Sequence, residues 1–386
     1  MELNQVKREF IDYYGNSCNL LSFHSPGRVN LIGEHTDYNG GCVLPCALSF
    51  GTYAVVNKRS DAILNFASTN YDLRVKCDLR QLSYDPKDGW ANYLKGVAVE
   101  FQKLGFELGG LDILISGNIP SGAGLSSSAS IELLMSVILN ECFGCGLETR
   151  EMIMLSQRAE NRFVGVNCGI MDQYAIGMGK KGHAVFLDCK TISHAYIPLD
   201  LKDYRIVIAN TNKLRELTDS KYNERRTECE KAVEYLNKEL RIQHLVDISA
   251  EEWEAYSRLI PDETVRRRGA HVVYENKRVK EAVANLKAGN LDAFGALMTQ
   301  THYSLRDLYE VSCLELDTLV AEALRIDGVA GSRMTGAGFG GCTVSIVNKD
   351  AVQEFCNGVG KRYREITGLT ADFYIAETGD GAKRIE

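Results

Sequence analysis

The sequence predicts an α/β (α+β) protein of two layered lobes, and three observations carry that prediction. The chain has 386 residues, more than one ordinary hydrophobic core supports. Strand-like runs alternate with amphipathic helical stretches in both halves, the pattern of mixed sheets covered by helices. The pattern then restarts at DYRIVIANT (203–211), a buried-strand run. The expected division is therefore 1–200 and 201–386.

The elements follow in order. Residues 21–32 (LSFHSPGRVNLI) and 42–50 (CVLPCALSF) read as strands joined by a turn at DYNGG, because Asn-Gly between apolar runs is a strong hairpin signal. Strand-like runs follow at 51–57 and 62–68. WANYLKGVAVEFQKL (90–104) sets Leu94, Val97, Phe101 and Leu104 on one helical stripe. LDILIS (111–116) reads as a strand that leads through a glycine–serine stretch into a helix at 128–143. A further helix at 148–164 puts Met152, Leu155, Ala159 and Phe163 on one face. In the second half, charged helices are expected around 220–239 and 274–287, and a helix at 315–326 runs into GSRMTGAGFGGCTVSIV (331–347). Helix 350–366 and strand 373–377 (FYIAE) close the chain.

Composition excludes several classes. The chain is 45% hydrophobic and 25% charged, and no apolar run is long enough to span a bilayer. MELNQVKREFIDYYG mixes charges through its apolar residues, unlike a signal peptide, so a cytoplasmic location without membrane contact is expected. The net charge is −7 with no stripe of Lys and Arg, which argues against nucleic acid. Twelve cysteines without an export signal read as free thiols. CFGC (142–145) is the only C-x-x-C and lacks a second ligand pair, so Cys142 and Cys145 read as thiols at a helix end.

Three stretches carry chemistry. In PSGAGLSSSAS (120–130), Gly122 and Gly124 permit a tight turn, and Ser126, Ser127 and Ser128 stand where a helix begins. A helix start offers unpaired N–H groups and partial positive charge to a phosphate, and serine hydroxyls can ligate Mg²⁺. The loop has no P-loop lysine, and the Gly-Lys pairs at 179–180 and 360–361 have Tyr174 and Phe355 where a P-loop needs glycine. The plainer reading is a serine cap after a glycine turn. In GRVNLIGEHTDYNGG (27–41), Arg28, Glu34, His35 and Asp37 crowd one strand end; they suit a polyol site, or form a solvated hairpin tip. In 331–347, Gly336, Gly338 and Gly341 match G-x-G-x-x-G, but the stretch runs from a helix into a strand, opposite to a dinucleotide fingerprint. Its glycines serve either tight packing or closure on a substrate. Asp172 in NCGIMDQYAIGMG and Glu160 on the edge of the 148–164 stripe are half-buried carboxylates that need partners, whether a structural ion pair or a cation.

Taken in order, GRVNLIGEHTDYNGG, PSGAGLSSSAS, GIMDQYA and GSRMTGAGFGGC resemble the galactokinases, within the superfamily of galactose, homoserine, mevalonate and phosphomevalonate kinases (GHMP kinases). The resemblance implies two lobes with the active site in the cleft between them. It implies transfer of the γ-phosphoryl group of ATP to the anomeric hydroxyl of galactose, with Mg²⁺ as cofactor, by a monomer or weak homo-oligomer. It further implies that Asp172 is the catalytic base with Arg28 beside it, and that Glu34, His35, Asp37, Gly169, Asp172 and Tyr222 contact the sugar. Gly122, Ala123, Gly124, Leu125, Ser126, Ser127 and Ser128 correspond to the ATP phosphate loop, with Ser68 and Trp90 on the adenine side. Ser128 and Glu160 correspond to the Mg²⁺ ligands. Relatives that act as galactose sensors lack a serine–alanine pair present here as Ser128-Ala129, and kinases for N-acetylgalactosamine vary the HTDYNG stretch.

Overall fold

Burial of apolar side chains between sheets and helices organises the chain, seen in a computed structural model that describes residues 3–15, 19–120, 123–213 and 218–386. The chain opens with α1 (Leu3–Tyr14), β1 (Leu21–Asn30), β2 (Cys42–Val43), β3 (Pro45–Lys58), β4 (Ile63–Ser68) and β5 (Val75–Asp78). It continues through α2 (Ala91–Lys103), β6 (Leu111–Gly117), α3 (Ser127–Phe143), α4 (Thr149–Ala159), α5 (Met171–Gly177), β7 (His183–Asp188) and β8 (Ser193–Pro198). Then come β9 (Tyr204–Asn210), α6 (Thr218–Leu236), α7 (Ala250–Tyr256), α8 (Glu263–Lys287), α9 (Leu291–Ser304) and α10 (Leu314–Ala323). The last elements are β10 (Val329–Thr335), β11 (Cys342–Asn348), α11 (Val352–Thr367), β12 (Asp372–Ala376) and β13 (Lys383–Arg384).

One sheet has the order β13-β1-β3-β6-β4-β5, a second β10-β11-β9-β12, and a third β2-β7-β8. The expected mixed α/β architecture is observed, and residue 200 falls between β8 and β9. β13 returns to pair with β1, Phe23 opposite Arg384. Leu94, Val97 and Phe101 of α2 join α3 and α4 over the six-stranded sheet. No helix among the described residues is long and apolar enough to cross a membrane.

Several expectations are corrected. Residues 27–41 do not end in a hairpin tip: β1 pairs with β3, Asn30 opposite Pro45, while β2 leaves to pair with β7. Asp37–Asn39 forms one 3₁₀ turn, with the Asn39 amide donating to His35 O at 3.0 Å, so the polar loop folds inward on itself. Glu34, His35, Thr36 and Asn39 are buried, against the solvated reading. The separate strands 42–50 and 51–57 are largely one strand, β3. Leu104 falls at the C-cap of α2 and is exposed, outside its stripe. Residues 331–335 are β10, so the glycine loop joins two strands rather than a helix and a strand, which still excludes a dinucleotide fingerprint. Its glycines pack tightly: a Cβ on Gly338, at φ +83°, would lie 2.2 Å from Val311 O. α8 starts at Glu263 rather than 274, because the Asp262 carboxylate caps it by accepting from the Thr264 and Val265 N–H groups.

Candidate active site

Arg28 owes its direction to a break in β1. The register against β3 shifts between Pro26 and Arg28, a bulge of the kind that re-aims a side chain. The buried guanidinium forks onto Asp172, Nε to Oδ1 at 2.8 Å and Nη2 to Oδ2 at 2.9 Å. Nη1 donates to Gly124 O at 2.7 Å, so one arginine joins the first stretch to the glycine–serine loop and to α5. Burial opposes the charge of Arg28, but the Asp172 carboxylate, with Glu34 and Asp37 adding to it, holds the guanidinium above its ordinary range. Asp172 lies in the first turn of α5 and accepts a third bond, from Ser126 Oγ at 2.5 Å.

The glycine–serine loop ends at Ser126, the N-cap of α3, in the left-handed region at φ 60°. Ala123 and Leu125 are buried and anchor it; Ser127 is exposed and Ser128 half-buried at the first turn of α3. The first N–H groups of such a helix have no partner within it and face the ligand side. Gly122 lies outside the described residues.

A cavity of about 340 Å³ opens onto this loop, lined by Arg28, Glu34, His35, Asp37, Gly169, Asp172 and Tyr222 together with Gly124, Ser126, Ser127, Ser128 and Glu160. A second, of about 400 Å³, is lined by Ser68, Asn70, Tyr71 and Trp90, and again by Ser127 and Ser128. The two cavities thus meet at the N-terminus of α3. Trp90 brings a buried indole N–H with no partner among the described residues, a donor suited to a ligand acceptor. Ser68-Thr69-Asn70 is laced to the end of β6: Gly117 N–H donates to Asn70 Oδ1 at 2.7 Å, and the Asn70 amide donates to Gly117 O at 2.9 Å.

The acidic and aromatic groups of the first cavity each have a defined setting. Glu34 forms a buried ion pair with Arg333 of β10, which also donates to Asn30 O at 3.0 Å. His35 Nε2 lies 3.3 Å from Ala337 O of the loop between β10 and β11, and Nδ1 lies 2.8 Å from Tyr38 Oη. Burial pushes His35 down to about 3, so it is neutral at ordinary pH and its Nε2–H donates to the carbonyl. The Tyr222 ring packs against His35 and Tyr38 at centroid distances of 5.6 and 5.2 Å. Burial pushes the Asp37 carboxyl up to about 6, with the Asp172 charge adding to it. Gly169 exists to leave Asp37 room: a Cβ there would lie 1.8 Å from Asp37 Oδ2.

Glu160 stands where α4 gives way to a π-helical turn, Glu160–Val164, so the predicted single helix to 164 changes register there. Gln173 Nε2 donates to Glu160 Oε2 at 2.6 Å, the Cys168 thiol donates to the same oxygen at 3.2 Å, and Ser128 is a further hydrogen-bond partner. Burial pushes the Glu160 carboxyl up to about 7. Among the described residues no Lys, Arg or His pairs with it, and no cluster of three acidic, His or Cys groups could hold a metal alone. A serine hydroxyl and one uncompensated carboxylate are hard oxygen donors. They fit a Mg²⁺ ion that takes its other ligands from phosphates and water. Arg333, Gln173 and Glu132 escaped sequence reading; the one available signal was Glu132, the only charge in ASIELLMSVIL (129–139).

Residues 92–180 match the family described as GHMP kinases N terminal domain, 282–365 match GHMP kinases C terminal, and 8–58 match the galactokinase galactose-binding signature. The chain is 54% identical to a galactokinase of Clostridium tetani over 386 residues, covering 100% of this chain and 98% of the relative. It is 52% identical to a galactokinase of Bacillus subtilis, covering 99% of each. Among solved structures, Lactococcus lactis galactokinase complexed with galactose superposes with a TM-score of 0.97 at 44% identity, covering 99% of this chain and 100% of that one. Methanococcus jannaschii mevalonate kinase shares the fold, with a TM-score of 0.68 at 20% identity over 95% of this chain and 99% of that one.

Proposed function

The chain belongs to the galactokinase family of the GHMP kinases, and from that premise we propose how its residues divide the work of phosphorylating galactose. The enzyme transfers the γ-phosphoryl group of ATP to the anomeric hydroxyl of D-galactose, giving galactose 1-phosphate and ADP. The observation that carries the assignment of parts is the meeting of the two cavities at Ser127 and Ser128. The sugar occupies the cavity of Glu34, His35, Asp37, Gly169 and Tyr222, and the nucleotide base that of Ser68 and Trp90. The triphosphate crosses the start of α3, where N–H groups of the loop and first turn neutralise it.

Arg28 holds the Asp172 carboxylate by two bonds, aimed into the sugar cavity. As the bond from phosphorus to the ADP oxygen breaks and the bond to the sugar oxygen forms, Asp172 accepts the hydroxyl proton. Ser128 and Glu160 would hold Mg²⁺, which when bound offsets the triphosphate charge. The expected lobes, 1–200 and 201–386, both line the sugar cavity, with Tyr222 and the 336–337 edge beside Asp37 and Asp172, although β13 (Lys383–Arg384) joins the sheet of the first.

A sugar panel with Mg-ATP tests the assignment. Galactose should be turned over with kcat/KM on the order of 10²-fold or more above glucose, since a site built to bond one hydroxyl discriminates against its epimer. Tight binding of galactose and ATP without turnover would make the protein a sensor, and preference for N-acetylgalactosamine would make it a kinase for that sugar.

A pH dependence follows from Asp37. As a carboxylate it accepts sugar hydroxyls; protonated, it loses that capacity. With its carboxyl near 6, affinity is full above that pH and falls as pH drops through it. Galactose should bind about tenfold more weakly at pH 5 than at pH 7.5 by calorimetry without nucleotide, one unit below the titration leaving about a tenth of the carboxylate. Asp37→Asn should flatten the profile; an unchanged wild-type affinity at pH 5 would remove Asp37 from the sugar contacts.

A further inference from the structure

We propose that Gln173, backed by Glu132, is a positioning residue that sets the Glu160 carboxylate for the metal, an inference that rests on the assignment of Glu160 above. Gln173 follows Asp172 on α5 and is fully buried, with Nε2 2.6 Å from Glu160 Oε2 and 3.0 Å from Glu132 Oε2. A primary amide has two N–H donors, and here each carboxylate takes one.

Glu132 is fully buried on α3, one turn beyond Ser128, and the i,i+4 spacing puts both on one face of the helix. Its neighbours Leu133 and Leu134 are apolar, and among the described residues no cation pairs with it. A buried acid without a counter-ion is costly where a leucine would pack. What Glu132 does that leucine cannot is accept the Gln173 amide. Glu160 needs such a hold, because it enters on a π turn where the regular helical ladder no longer dictates its direction. The chain of contacts therefore runs from α3 through Glu132 and Gln173 back to Glu160, whose partner Ser128 is again on α3. Groups that orient a metal ligand from behind typically change metal affinity by about 10–100-fold when removed.

The test is Mn²⁺ binding, followed by electron paramagnetic resonance, to the full-length enzyme saturated with a non-hydrolysable ATP analogue. Gln173→Met and Glu132→Leu should each weaken Mn²⁺ binding by about tenfold or more. Glu132→Gln should stay within about threefold, because its amide oxygen still accepts from Gln173. Galactose affinity without nucleotide should be unchanged in all three. Wild-type Mn²⁺ binding in Gln173→Met and Glu132→Leu overturns the proposal. Glu132→Gln as weak as Glu132→Leu also overturns it, assigning the effect to charge rather than anchoring. If Gln173→Met does not fold, the comparison of the two Glu132 variants decides alone. Glu160→Gln separates the two levels: if it binds Mn²⁺ like wild type, the assignment of Glu160 itself fails. If it weakens binding while the Gln173 and Glu132 variants do not, only the present proposal fails.

Discussion

Asp172→Asn is expected to slow single-turnover phosphoryl transfer by about 10²–10⁴-fold, the usual loss when a positioned base is removed. The substitution is nearly isosteric, and its one oxygen can still accept from Arg28, which now holds Asp172 by two bonds. Glu34 and Asp37 also act on the Arg28 charge, so the guanidinium is not left without neighbouring anions, and the protein should remain folded. Galactose affinity should fall only modestly, because Asp172 is one acceptor among several lining the cavity. The loss therefore concentrates in the chemical step. Rapid-quench measurement with enzyme in excess reads that step directly, with folding checked by calorimetry. A rate within tenfold of wild type would exclude Asp172 as the base and leave transfer to positioning by the loop and the metal.

Gly169→Ala is expected to weaken galactose binding by about 10²-fold while leaving nucleotide affinity without sugar unchanged. The added methyl would stand 1.8 Å from Asp37 Oδ2 and 2.3 Å from its Cγ. Asp37 must retreat by an ångström or more, and displacements of that size in a binding site cost about 10²-fold. The backbone of Gly169 is not in the left-handed region, so the cost is the collision and not the conformation. Asp37→Ala removes the atoms struck, so Gly169→Ala should cost little in that background, a strong coupling in the double-mutant cycle. Calorimetric affinity within threefold of wild type for the single variant would sink the argument.

Legibility in the sequence followed the range of the physics. Strands and helices governed by local periodicity, such as β6, α2 and α11, could be read directly, and so could the helix start at Ser127. The path of residues 31–44 could not, because Asn-Gly signals a hairpin locally while the buried bonds of Thr36 and Asn39 close a different loop. The gathering of Arg28, Gly124, Ser126 and Asp172 rests on contacts between residues up to 144 positions apart, which no periodicity reports. Arg333 is the plainest case: it stands in a glycine-rich stretch that drew attention for its glycines. Yet its guanidinium is fully buried and binds Glu34, 299 positions away in the chain.

The pairing of β13 with β1 bears on how this protein is made. Phe23 and His24 find their outer partners in Arg384 and Lys383, and Ser22 donates to Glu386 O at 3.0 Å. During translation at about 5–20 residues per second, β1 leaves the ribosome many seconds before the strand that covers its outer edge. Through that interval the nascent sheet carries a row of unpaired N–H and C=O groups, a template for pairing with another chain. The Arg384 and Lys383 side chains arrive with the strand that covers this edge, so the first sheet gains its last strand only after every strand of the second sheet has been made.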